Sequence, residues 1–172
     1  MSPSHFSAMY HAISEGDCEK IDELVSAGVD VNETSTGDEW NFLHMALVSQ
    51  SLPPNLVAVR HLIDIGVDIN AKDRFDWTPL HFAVRSGSAE AVKMLVDAGA
   101  NVSTGNIDEV TPLHLSILQK PADLEIVEML LAAGADPNAV TSRGSLRRYL
   151  GVAVRPDKDE ITALLDRYSL GR

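Results

Sequence analysis

Two short phrases recur along the chain at intervals of 33 to 38 residues, and this repetition constrains the fold more than any other feature of the sequence. The first phrase is an apolar stretch closed by a glycine, and its glycines are Gly28, Gly66, Gly99 and Gly134. The second phrase reads Thr-Pro-Leu-His at residues 78–81 and 111–114, and Asn-Phe-Leu-His at residues 41–44. Because the two phrases alternate in a constant order, the chain is expected to be an array of small, similar repeats.

Each repeat has the features of two short helices. Thr78 supplies a hydroxyl cap and is followed by a proline, which needs no N–H in a first helical turn, so a helix is predicted from Pro79 to Arg85, ended by Gly87. Apolar residues at helical spacing predict a second helix from Ala89 to Asp97, ended by Gly99 as a left-handed cap. Two helices this short cannot bury their apolar faces alone, so neighbouring repeats are expected to stack and share a core.

These phrases and their 33-residue base period resemble the ankyrin repeat. The resemblance covers nearly the whole chain and implies an all-α solenoid of about five stacked helix-turn-helix repeats with short β-turn or hairpin loops. Within a single domain of residues 1–172, the repeats are placed at residues 5–35, 36–71, 72–104, 105–140 and 141–170. The first and last repeats are degenerate caps, in which residues 7–10 and 147–150 are expected to stand where Thr-Pro-Leu-His would be.

Composition and charge limit the classes of partner. The net charge is −11, and the first 70 residues hold eleven acidic side chains against only Lys20 and Arg60. Such a chain is repelled by nucleic acids and anionic membranes, and basic proteins are its natural partners. Its single cysteine favours a reducing compartment. It has no apolar run near the ~20 residues of a membrane span and no secretory signal, so we expect a cytoplasmic protein.

No group of residues in the sequence predicts catalysis or metal binding. His44, His81 and His114 occupy the same position in successive repeats, and the resemblance implies that this histidine ties one hairpin to its neighbour by hydrogen bonds. The other histidines lie at residues 5, 11 and 61, and none has a cluster partner. The chain also has no nucleophile elbow and no phosphate-binding glycine loop. We therefore expect no enzyme activity, no cofactor and no metal.

The aromatic residues give the predicted binding site. Trp40 and Trp77 stand at equivalent turn positions, which in the ankyrin family vary freely and face a partner, and tryptophan is enriched in interface hot spots. Two interpretations remain open: the tryptophans bind a partner, or they pack only on each other. The predicted partner-binding residues are Trp40, Trp77, Phe75, Met45, Phe82, Asp38, Glu39 and Arg85.

Three other segments deviate from the regular repeat. Insertions at residues 49–55 and 119–123 fall between the two helices of a repeat, either as tolerant loops or as a second surface that contacts the partner. Near the C-terminus lies a basic group that is expected to be a solvated cap: Arg143, Arg147, Arg148 and Arg155.

The sequence therefore predicts a non-enzymatic protein-binding module, monomeric alone, that acts by occupying one or more partner proteins. A stoichiometric inhibitor of a basic enzyme, such as an immunity protein against a nuclease-like toxin, fits its acidity. A cytosolic adaptor that bridges two proteins is the alternative. An enzyme with an unrecognised site is a third possibility, which a bound metal or cofactor would reveal.

Overall fold

The computed structural model describes residues 3–48, 53–142 and 144–169. It divides the chain into two compact units, Met1–Ala100 and Asn101–Arg172, here called the N-terminal and C-terminal units. The described helices of the N-terminal unit are α1 (Pro3–Glu15), α2 (Cys18–Ser26), α3 (Phe42–Leu47), α4 (Leu56–Asp64), α5 (Pro79–Ser86) and α6 (Ala89–Asp97). The described elements of the C-terminal unit are α7 (Pro112–Leu118), α8 (Leu124–Ala132), β1 (Val140–Thr141), β2 (Gly144–Ser145), α9 (Leu146–Val152) and α10 (Lys158–Ser169).

In the N-terminal unit the helices form two layers. The first helices of successive repeats pack side by side, with α3 in contact with both α1 and α5, and the second helices pack in the order α2, α4, α6. Leu43 and Leu80, which hold the leucine position of the recurring phrase, are fully buried between these layers. In the C-terminal unit α8 packs on α7 and α10, and Leu113 is fully buried in the same way. No helix in the described ranges is both long and apolar enough to cross a membrane.

The recurring phrases define the helix ends as predicted. The Asn41 side chain accepts a hydrogen bond from the backbone N–H of His44 (3.1 Å), and Thr111 does the same for His114 (3.3 Å), so both cap their helices. The predicted helices of the third repeat are confirmed as α5 and α6. Gly87 ends α5 in the left-handed conformation (φ 70°), which glycine adopts without steric cost.

The two terminal repeats start differently from the prediction. Helix α1 begins at Pro3, so Ser7 lies inside a helix and caps nothing. The last repeat begins two residues before the predicted Arg147. Here Ser145 is the N-cap and its side chain accepts from the N–H of Arg148 (3.3 Å), because a hydroxyl suits this position better than a guanidinium does.

The prediction that Arg155 is a solvated cap residue is wrong. Its side chain is buried, makes a two-point ion pair with Asp157 and donates to the carbonyl oxygens of Ile117 and Gln119. The Asp157 carboxylate also accepts from the N–H of Ala122 (2.7 Å). The Arg155 guanidinium therefore holds the pKa of Asp157 far below its usual range, and together they anchor the inserted segment.

The remaining irregular segments are only partly described. Residues 49–52 of the first insertion and Arg143 of the basic group lie outside the described residues. The end of the first insertion caps α4, because the Asn55 side chain accepts from the N–H of Ala58 (3.2 Å). Arg147 pairs with Asp166 (2.6 Å), so it is not simply a solvated side chain.

Candidate protein-binding site

Each recurring Thr-Pro-Leu-His phrase is preceded by a turn, and we call residues 35–40, 73–77 and 106–110 the three fingers. One polar side chain organises each finger. In the second finger, Asp73 Oδ1 accepts from the N–H groups of Phe75 and Trp77, both at 2.8 Å. In the third, Asn106 Oδ1 accepts from the N–H of Val110 (3.0 Å). Because the same local bonds recur, the fingers present their last residues at equivalent positions.

The residue before each of those last positions has an uncommon backbone conformation. Glu39, Asp76 and Glu109 have φ values of 59°, 61° and 61°, in the left-handed region that costs an ordinary residue about 1 kcal/mol. This conformation is held by finger hydrogen bonds such as that from the N–H of Asp76 to the carbonyl of Asp73 (2.8 Å). The backbone is therefore fixed just before Trp40 and Trp77.

Both tryptophans pack against Phe82, which lies on the first turns of α5. The ring centroids of Trp40 and Phe82 are 5.7 Å apart, and those of Trp77 and Phe82 are 5.9 Å apart, each in an edge-on arrangement. Phe82 is only 2% exposed, whereas both tryptophans are half-buried. The Trp40 indole also donates to Asp73 Oδ2 (3.3 Å). The two indoles thus form the walls and Phe82 the floor of one aromatic cluster.

Arg85 covers part of this cluster. Its guanidinium carbon lies 5.1 Å from the Trp77 ring and 4.6 Å from the Phe82 ring, within cation–π distance. Within the described part of the chain, no carboxylate lies within ion-pair distance of Arg85, and the residue is exposed. A guanidinium held flat on rings keeps its N–H donors directed outward, so it is ready to bind acceptors of another molecule.

The cluster borders a shallow cleft of about 270 Å³ between the first two fingers, which we call the finger cleft. An acidic rim surrounds it, because Asp38 stands at its edge and pairs with Arg74 (3.4 Å), which in turn lies over the Phe75 ring (4.5 Å). The finger cleft is lined by Asp38, Trp40, Asp73, Phe75, Trp77, Phe82 and Arg85. A second depression, of about 440 Å³, shares Trp40 and is lined by Tyr10, Trp40, Met45 and Val48.

Six of the eight predicted partner-binding residues line the finger cleft. Met45 lies in the second depression and is 8% exposed, and Glu39 is exposed but lines neither depression. The interpretation that the tryptophans pack only on each other does not describe this arrangement, since Phe82 contacts both. That these residues bind a partner stays a prediction.

Sequence reasoning missed four residues of these depressions. Asp73 organises the second finger and holds Trp40, and the spacing from Ser35, Asp73 and Asn106 to the ends of their fingers could have indicated it. Arg74, Tyr10 and Val48 carried no signal, because only the packing of one repeat on the next brings them to the two tryptophans.

The histidine position of the repeat has a structural role at His44. Its Nε2 lies 2.9 Å from the Trp77 carbonyl oxygen, which ties α3 to the second finger as the resemblance implies. His114 differs, since its buried Nε2 has no hydrogen-bond partner. Burial lowers the pKa of both histidines below the ordinary value of 6.5. In the described ranges, no group of three or more His, Cys, Asp or Glu could hold a metal ion.

This burial predicts a pH dependence of stability. Below pH 6.5 the unfolded chain takes up protons at these histidines while the folded chain holds them neutral, so folding is weakened as the pH falls towards their lowered pKa values. For His44 the loss is at most about 1.4 kcal/mol for each pH unit below 6.5. Urea unfolding at pH 7.5, 6.5 and 5.5 measures it, with His11→Ala, an exposed site, as control. A free energy of unfolding that stays level or rises towards pH 5.5 would contradict the neutral burial of these rings.

Comparison with known proteins agrees with the repeat geometry. A family model described as ankyrin repeats (3 copies) matches residues 8–106 and 53–141. No curated protein matches the chain. The matched residues cover most of the described helices and the fingers with their recurring caps. The chain therefore belongs to the ankyrin-repeat family, an all-α solenoid fold that serves as a protein–protein interaction module.

Proposed function

We propose that this protein is a non-enzymatic binding module that acts by occupying one partner protein with a basic surface, and that it holds the partner at the finger cleft. The observation that carries the proposal is the cluster of Trp40, Trp77 and Arg85 over Phe82. Tryptophan and arginine are the residue types that dominate interface energies. Here they stand together on a preformed surface.

The cluster suits recognition of a polypeptide. The half-buried indoles offer apolar faces with little rotamer freedom left to lose on binding. Arg85 offers several N–H donors beside them, which match the carbonyl or carboxylate oxygens of a bound chain. A surface with these two components can bury an apolar side chain and satisfy the polar atoms next to it.

The charge around the finger cleft favours a basic partner. The first 70 residues carry eleven acidic side chains and two basic ones, and Asp38 and Glu39 lie beside Trp40. Such a field raises the association rate of a basic protein and loses strength as salt rises. A compact acidic module of this kind fits a stoichiometric inhibitor that covers a basic enzyme, which is the form of occupancy we favour over an adaptor.

The partner can be identified by co-purification from the native cells with the tagged full chain, after cross-linking. We expect one basic protein in a 1:1 complex by light scattering, with its activity suppressed. Arg85→Ala should weaken its binding at least tenfold, which corresponds to ~1.4 kcal/mol. Several unrelated proteins bound at once would instead indicate an adaptor, and an acidic partner would contradict the electrostatic part of the proposal.

A further inference from the structure

The third finger replaces the aromatic cluster by smaller apolar side chains. Val110 stands where the first two fingers carry Trp40 and Trp77, and it follows the left-handed Glu109 as they follow theirs. Thirty-three residues after Arg85, on α7, stands Leu118. Exchanging an indole and a guanidinium for two aliphatic side chains removes volume, so space is left where a ring would otherwise lie.

The C-terminal unit has a pocket at this place. Its volume is about 200 Å³ and its lining is largely apolar, formed by Val110, Leu118, Leu146 and Tyr149 with the β1–β2 hairpin on one side. An apolar cavity of about 150 Å³ in a protein holds benzene. The pocket therefore has room for a molecule built around one six-membered ring.

One polar atom in this pocket has no partner. His114, only 3% exposed, lines it, and its Nε2 makes no hydrogen bond. Its Nδ1 lies 2.8 Å from Thr111 Oγ1, on the side of the helix cap. The Ala139 carbonyl is near enough to oppose the lowering of the His114 pKa, but it does not form a hydrogen bond of normal geometry. The outer edge of the ring is thus left unsatisfied.

The equivalent histidines indicate which nitrogen carries the proton. At His44 and His81 a backbone N–H donates to Nδ1, at 3.2 and 3.1 Å, so Nδ1 is the acceptor and Nε2 carries the hydrogen. With the Thr111 hydroxyl donating to Nδ1 in the same sense, His114 Nε2–H is a buried donor without an acceptor. Such a group costs about 1–3 kcal/mol until an acceptor reaches it.

We propose that this pocket binds a neutral small molecule with one ring and a carbonyl oxygen, whose oxygen accepts the hydrogen bond of His114 Nε2–H. The ring would lie between Val110, Leu118 and Tyr149. A neutral ligand is required because the lining offers no charged side chain to replace the water lost by an ion. The site is separate from the finger cleft, so it does not depend on the proposed partner.

Acetophenone and ethylbenzene form a matched pair of probes, since they differ by the carbonyl oxygen. Titrated into the full chain, acetophenone should bind with a Kd below about 1 mM and at least ~10-fold more tightly than ethylbenzene. Nitrogen-15 NMR of the histidine rings should show the Nε2 signal of His114 shift with acetophenone while that of His44 stays in place. Binding without a shift at His114, or equal binding of both probes, would overturn the proposal.

Val110→Trp tests the location by placing in the third finger the residue that the first two carry. It should fill the pocket and weaken acetophenone binding at least ~10-fold. Ile107→Trp is the control, because Ile107 is 60% exposed on the same finger and does not line the pocket. If Val110→Trp does not fold, Leu118→Trp at the exposed rim (42%) takes its place. Wild-type binding by a folded, pocket-filled variant would also overturn the proposal.

Discussion

Arg155→Ala is expected to lower the free energy of unfolding by about 3–5 kcal/mol, the usual cost of removing one partner of a buried ion pair. The Arg155 side chain is 1% exposed and joins Asp157 to the carbonyl oxygens of Ile117 and Gln119. Without it, Asp157 keeps only the N–H of Ala122 among the bonds that the structure shows for its carboxylate. Urea unfolding followed by circular dichroism measures the loss.

Arg148→Ala is the matched control for this prediction. It removes the same charge from an exposed position on α9 and should change the stability by no more than ~0.5 kcal/mol. The double variant Arg155→Met, Asp157→Leu removes both charges and should recover much of the loss, because no buried ion is then left unpaired. A single variant that loses less than ~1 kcal/mol would mean that the ion pair contributes little to the last repeat.

Leu80→Ala is expected to cost about 2–5 kcal/mol, because Leu80 is fully buried on α5 and its truncation leaves a cavity. Leu150 on α9 is also buried (2% exposed), but it belongs to the last repeat, which has a neighbour on one side only. Leu150→Ala should therefore cost less. Denaturation of both variants in the same urea series makes the comparison, and equal losses would contradict the assignment of the last repeat as a cap.

Local patterns account for most of the predicted fold. Thr78, Gly87 and Gly99 act within one turn of the helices that they limit, so the bounds of α5 and α6 could be derived from the sequence alone. The start of the last repeat could not be derived as well, because Ser145 sits in a degenerate phrase without proline. There the cap hydroxyl was the only remaining signal.

Contacts between repeats explain what the sequence did not predict. Arg155 looks like any surface arginine, and its acceptors lie 36 and 38 residues away along the chain. Likewise, the equivalent positions of Trp40 and Trp77 could be derived from the repeat, but not the ring of Phe82 between them. Half-burial of the tryptophans follows from this packing, so their truncation should affect stability as well as binding. Arg85 is consequently the cleaner probe of the site.

The central claim is that the finger cleft holds the partner protein, and titration of the co-purified partner into three forms of the full chain tests it most directly. These are the wild type, Arg85→Ala, and Arg60→Ala on α4 as a control with the same charge change. We predict that Arg85→Ala stays folded, with at most ~1 kcal/mol lost from its cation–π contacts, and binds at least tenfold more weakly, while Arg60→Ala binds like the wild type. Equal affinities of a folded Arg85→Ala and the wild type would contradict the claim.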